Sequence, residues 1–171
     1  MEPRPAHVDE VFRGSLFSVE VQTWERPRRR REVVRHPGAV GIVAVTGEGA
    51  VVLVRQFREA VREPVLEIPA GVRDVRGEDP AETARRELAE ETGYRATSVR
   101  PLGRIHSSPG FTDETVELFV AGAEPGGEPE PGVEVVTMAL QDALSAVSAG
   151  SITDAKTVTA LLLAGRAAPP A

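Results

Sequence analysis

Two runs of small and β-branched apolar residues, Ala39–Thr46 and Ala50–Phe57, flank Gly47-Glu48-Gly49. They constrain the fold more than any other feature of the chain. A strand with one wet face alternates apolar and polar residues, whereas a strand covered on both faces reads as a continuous apolar run. The glycine-containing link between the runs predicts a hairpin. Such a hairpin needs helices on both sides. The sequence offers one at Asp79–Gly93 and two more near Leu140–Ala149 and Asp154–Ala164, with further strands near Val65–Pro69, Val99–Ile105, Thr115–Ala121 and Val133–Met138. The expected class is α+β, a mixed sheet between helical layers.

Upstream, residues 11–36 read as short strands joined by an Arg-Pro-Arg turn at residues 26–28, with alternation in Phe17-Ser18-Val19-Glu20-Val21. His36-Pro37-Gly38 then punctuates the chain. Residues 1–38 are too few and too polar to bury a core of their own, so they form an N-terminal β segment, expected in a dimer interface, ahead of a main domain at 39–171. With 41% apolar and 27% charged residues, the 171-residue chain can build one core and stay soluble. No apolar run approaches the ~18 residues a membrane span requires. The N-terminus lacks the apolar stretch of a secretion signal, and without cysteine any metal must be held by oxygen or nitrogen. A cytoplasmic location is expected.

The net charge of −6 argues against a nucleic-acid binder working through Arg28-Arg29-Arg30-Arg31. That run reads as a solvated turn between strands or as a phosphate-facing patch, and composition alone does not separate the two. Trp24 and Phe17 fit stacking on a base or ordinary strand packing. Neither His36 nor His106, both at strand ends, is assigned to chemistry.

The helix at Asp79–Gly93 carries the chemistry. Asp79 suits the N-cap, Pro80 the first helical position, Glu82 a capping box and Gly93 the stop, while Ala81, Ala84 and Leu88 form the apolar stripe. Glu87 and Glu91 fall one turn apart on one face with Glu90 beside them. Like charges at that spacing destabilise a helix by a few tenths of a kcal/mol per pair, a term that a bound divalent cation reverses. Carboxylates are the ligands that Mg²⁺ or Mn²⁺ prefers.

The wider spacing decides against an ordinary solvated face. Gly71, Glu78 and the run Arg86-Glu87-Leu88-Ala89-Glu90-Glu91-Thr92-Gly93-Tyr94 resemble the box of the Nudix hydrolases. Six specified residues stand in register: Glu78, Arg86, Glu87, Glu90, Glu91 and Gly93. Coincidence at about one in 15 each is roughly one in ten million per starting position. Two departures concern loop geometry: six residues separate Gly71 from Glu78 where the pattern has five, and Tyr94 replaces an aliphatic. Pro109 sixteen residues after Gly93, the loop Ser108-Pro109-Gly110-Phe111-Thr112-Asp113-Glu114, and the segments Leu53–Arg58, Glu67–Gly71 and Ile152–Lys156 are similar to the ADP-ribose pyrophosphatase subgroup.

The resemblance implies a Nudix-type α/β/α sandwich in a homodimer. It implies metal-dependent hydrolysis of ADP-ribose to AMP and ribose 5-phosphate, with Mg²⁺ or Mn²⁺ as cofactor. The Ala70 carbonyl, Glu87, Glu90 and Glu91 are the implied metal group. Glu114 is the implied general base, with Glu78 either sharing that role or acting as a structural acid at the helix N-terminus. Arg58 is the candidate phosphate clamp, and Arg30 and Glu32 are candidate contacts to the nucleotide of a dimer partner. The alternatives are cleavage of another nucleotide sugar such as GDP-mannose, and a Nudix module that binds without cutting.

Overall fold

The computed structural model describes residues 4–166 and divides them into two compact units. The smaller runs up to Gly38 and also takes in His106–Thr115; the larger comprises Ala39–Ile105 and the chain from Val116 onward.

The smaller unit is built on a three-stranded antiparallel sheet of β1 (His7–Arg13), β2 (Ser18–Glu25) and β3 (Arg28–Arg35), with β2 in the middle. The arginine run therefore lies in a strand and not in the turn, which consists of Arg26 and Pro27. Strand alternation then splits the run between two faces. Arg29 pairs with Trp24 and Arg31 with Gln22, so those four share one face; Arg30 and Glu32, opposite Thr23 and Val21, share the other. The Arg29 guanidinium sits 5.5 Å from the centre of the Trp24 ring, a cation–π contact that accounts for one of the four charges.

The larger unit holds a seven-stranded mixed sheet. Its main path runs β10 (Glu134–Ala139), β5 (Ala50–Arg58), β4 (Ala39–Thr46), β9 (Thr115–Pro125) and β8 (Tyr94–His106). The expected hairpin exists only at its tip, where Ala44 and Val45 pair with Val52 and Val51. Beyond the tip the strands part. Strand β4 takes β9 as a parallel neighbour and the short β7 (Ala70–Val72) as an antiparallel one, while β5 takes β10 and β6 (Glu63–Glu67). Strand β8 begins straight after Gly93, five residues before the position the sequence suggests.

Both faces of this sheet are covered, as the apolar runs require. Val40, Ile42 and Ala44 pack with Ala84 and Leu88 of α1 (Pro80–Thr92). Val43, Val51, Leu53 and Leu118 pack with Ala143 of α2 (Leu140–Ser148) and with Ala160 and Leu161 of α3 (Ala155–Ala164). All of these side chains are fully buried. Burying a large aliphatic side chain contributes about 1.5–3 kcal/mol, so the first layer anchors α1 against the sheet and the second anchors α2 and α3. Among the described residues, no helix is long and apolar enough to cross a membrane.

Candidate active site

Helix α1 starts and stops where its sequence directs. The Asp79 carboxylate accepts the Ala81 amide at 2.8 Å, and Gly93 closes the helix in the left-handed region at φ 70°. Glu82 does not complete a capping box; its side chain turns to Arg85 at 3.2 Å. The Pro/Gly/Glu loop after β9 docks on the far end of the helix. There the Glu130 amide donates to the Glu90 carbonyl, and the Gly126 and Gly127 amides donate to the Gly93 carbonyl.

Glu87 and Glu91 project from α1 toward β7. A Cβ at Gly71 would stand 2.0 Å from the carboxyl carbon of Glu87, so the carboxylate fills the space that any other residue's side chain would need. One turn on, Glu91 accepts the Ala70 amide at 3.0 Å and a hydrogen bond from Gln56. Burial pushes the Glu91 carboxyl up to about 7, the Glu87 charge pushes the same way, and the Ala70 amide opposes them. Glu87 is also raised, chiefly by burial, while the Arg86 charge acts against the rise.

Arg86 binds the acids together. Its guanidinium lies 2.7 Å from Glu87, 3.0 Å from Glu90, 3.4 Å from Asp74 and 3.5 Å from Glu78. The same Glu78 oxygen that faces Arg86 also accepts the hydroxyl of Thr83, which is buried and donates at 2.8 Å. Glu78 thus links the first turn of α1 to the arginine.

Among the described residues, no three Asp, Glu or His side chains converge into a ready-made metal cage. What the site offers is two half-buried carboxylates, Glu87 and Glu91, beside the Ala70 peptide, with exposed Glu90 at the rim. This all-oxygen donor set fits Mg²⁺ or Mn²⁺, which usually take one or two carboxylates and fill the remaining positions with water and substrate phosphate.

Arg58, the last residue of β5, is partly exposed and tied to a buried acid. Its Nε and Nη2 form a two-pronged bridge to Glu67 at 2.7 and 2.8 Å, and Glu67 is almost wholly buried. Lys156 pairs with the same carboxylate and with Asp154, the N-cap of α3, whose carboxylate also accepts the Thr157 amide at 2.9 Å. The Glu67–Lys156 part of the network has no reading in sequence, although both residues stand in segments that carry the family resemblance. The signal for it is a single charged residue inside an otherwise apolar strand end. A cavity of about 480 Å³ opens beside this network, lined in part by Arg58, Val61, Thr153 and Lys156.

Residues 35–161 match the NUDIX domain family. The chain belongs to that family. An ADP-ribose pyrophosphatase of Bacillus subtilis (strain 168) is 38% identical over 170 residues, covering 94% of this chain and 91% of the relative. A methanol dehydrogenase activator of Bacillus methanolicus is 37% identical over 169 residues, with the same coverage. The crystal structure of an ADP compounds hydrolase superposes with a TM-score of 0.81 at 26% identity, covering 96% of this chain and 93% of that one. Within this Nudix framework the larger unit brings Ala70, Glu78, Glu87, Glu90 and Glu91 together around α1, with Arg58 at the end of β5. The remaining three candidates, Arg30, Glu32 and Glu114, all belong to the smaller unit, the first two exposed on β3 and Glu114 on the loop that precedes β9.

Proposed function

We propose that this Nudix hydrolase cleaves the diphosphate bond of ADP-ribose, giving AMP and ribose 5-phosphate. The observation that carries the reading is the complete acidic set on α1, with Glu87 seated against Gly71 and Glu91 against the Ala70 amide. The similarity to an ADP-ribose pyrophosphatase over nearly the whole chain supports the choice of substrate.

In this reading the Ala70 carbonyl, Glu87 and Glu91, with Glu90 at the rim, hold Mg²⁺ or Mn²⁺. A bound divalent ion supplies charge neutralisation for the diphosphate oxygens and eases ionisation of a water. Arg86 and Glu78 keep the acids in place. Glu114 accepts the proton of the attacking water, whose oxygen bonds to phosphorus as the bridging P–O bond breaks. Arg58, with Nε and Nη2 committed to Glu67, has Nη1 to offer to a phosphate oxygen. Arg30 and Glu32 reach the nucleotide of a partner subunit. Support for a homodimer comes from Val8, Val11, Phe12, Leu16 and Phe17, large apolar side chains that stay exposed within one ten-residue stretch.

The test is product analysis on ADP-ribose, GDP-mannose, FAD, NADH and diadenosine polyphosphates with Mg²⁺ and with Mn²⁺. AMP and ribose 5-phosphate from ADP-ribose at the highest kcat/KM is the expected outcome. Preferred cleavage of GDP-mannose would reassign the substrate, and binding of ADP-ribose without cleavage would make the chain a sensor.

A further inference from the structure

The loop that carries Glu114 is built onto the N-terminal sheet. It is closed on itself first: the Phe111 and Thr112 amides donate to the Ser108 carbonyl, the Glu114 amide to the Thr112 hydroxyl, and the Ser107 amide to the Glu114 carbonyl. Its crest is then fastened to β3. Val34 donates its amide to the Phe111 carbonyl at 2.8 Å and accepts the Asp113 amide at 3.2 Å, a pairing of the kind two strands make. The Asp113 carboxylate adds two further ties. One oxygen accepts the His36 amide at 2.9 Å, and the other meets the Arg35 guanidinium at 3.0 Å. Arg35 is aimed from behind by Glu20, which its Nε meets at 2.9 Å and which the Gln22 amide group also contacts.

We propose that Asp113, fixed by Arg35 and the His36 amide, is a positioning residue that clamps the Glu114 loop to β3, so that the N-terminal sheet sets where the general base stands. This rests on the assignment of Glu114 as base. The ion pair alone is half-exposed, and exposed pairs are worth at most about 1 kcal/mol. The clamp therefore depends on the charge-assisted bond to the His36 amide and the two Val34 bonds acting with it. His36 closes the arrangement differently. Its Nδ1 accepts the Gly38 amide at 3.1 Å and lies 3.6 Å from the Glu114 carboxylate. Two consecutive residues thus divide the work: Asp113 holds the loop, and Glu114 uses its position.

The experiment compares Asp113→Ala, Asp113→Asn and Glu114→Gln in the full-length protein, by steady-state kinetics on ADP-ribose and by amide hydrogen exchange. Asp113→Ala should lower kcat about 10- to 100-fold with KM little changed, because a displaced catalytic group costs turnover more than binding. Exchange should accelerate in residues 107–114 and at His36, while β2 keeps its protection. Asp113→Asn retains an acceptor for the His36 amide and should recover part of the loss. If Asp113→Ala folds poorly, Arg35→Ala removes one tie only and should give a smaller loss of the same kind. Wild-type kcat together with unchanged exchange in Asp113→Ala would overturn the clamp. Full turnover in Glu114→Gln would instead remove the base assignment, and exchange in residues 107–114 would still decide the clamp.

Discussion

Gly71 and Glu87 occupy one space between them: a single added carbon at residue 71 would lie 2.0 Å from the Glu87 carboxyl carbon and 2.2 Å from one of its oxygens. The glycine is required by the acid and not by the backbone, since Gly71 is absent from the glycines with positive φ. Gly71→Ala should therefore displace the carboxylate while leaving the core untouched. The expected outcome is a drop in turnover of about 10- to 100-fold, the usual cost of disturbing the support of a metal ligand, with a raised Mg²⁺ requirement. Activity titrated against Mg²⁺ checks it, and thermal melting should show little change.

Glu91 links metal and pH. Its folded-state value, about 7, lies above the ordinary 4.5, so in metal-free protein this group favours the fold fully below about pH 4.5. That contribution is lost as pH rises through 7. In EDTA, melting temperature should thus fall between pH 5 and 8 by more in wild type than in Glu91→Gln, and Mg²⁺ should restore stability at pH 8 only where the carboxylate is present. Turnover of Glu91→Gln should fall at least about a hundredfold, equivalent to about 2.7 kcal/mol of transition-state stabilisation. A variant with equal Mg²⁺-induced stabilisation would take Glu91 out of the metal group.

The α1 motif and most strands were legible because each is a local pattern: caps, apolar periodicity, an acid repeated every turn. The Asp79 cap and the Gly93 stop are contacts within a few residues of chain. Less legible were features set by distant partners. Nothing near Ala44 announces that β4 will leave β5 after two pairs and take β9, since that choice belongs to residues 77 positions away (Ala44 pairs with Ala121). The turn reading of the arginine run rests on its charge and the adjoining proline, whereas pairing with β2 makes it a strand. Glu67 is not legible as part of a network from its own segment, because its two cations arrive from β5 and α3.

That buried acid carries its own pH dependence. Burial alone would raise the Glu67 carboxyl, but hydrogen bonds and charge from Arg58 and Lys156 outweigh it and hold the group below its ordinary value. Its contribution to stability is present above pH 4.5 and lost as pH falls through the lowered value. Glu67→Gln should cost roughly 2 kcal/mol at pH 7, the low side for a broken buried pair because Arg58 is partly exposed. Urea unfolding of wild type and variant at pH 7 and pH 4 should show the difference shrinking at the lower pH.

Glu78 and Glu114 should separate cleanly in single-turnover assays. Removing a general base costs about 10²–10⁴-fold in rate, which is the expectation for Glu114→Gln. Glu78→Gln keeps a hydrogen-bonding oxygen for Thr83 and loses only its pull on Arg86, so its effect should be smaller. The reverse order would transfer the base to Glu78.

Similarity to the NUDIX domain family begins at residue 35, one position beyond Val34. A protein engineer trimming the chain to that boundary would cut away the residue whose amide and carbonyl both hold the loop before β9. Such a truncation would preserve every residue of the recognised motif and still discard the strand to which that loop is bonded. The edge of the family match and the edge of the scaffold that holds this loop are different places in this chain.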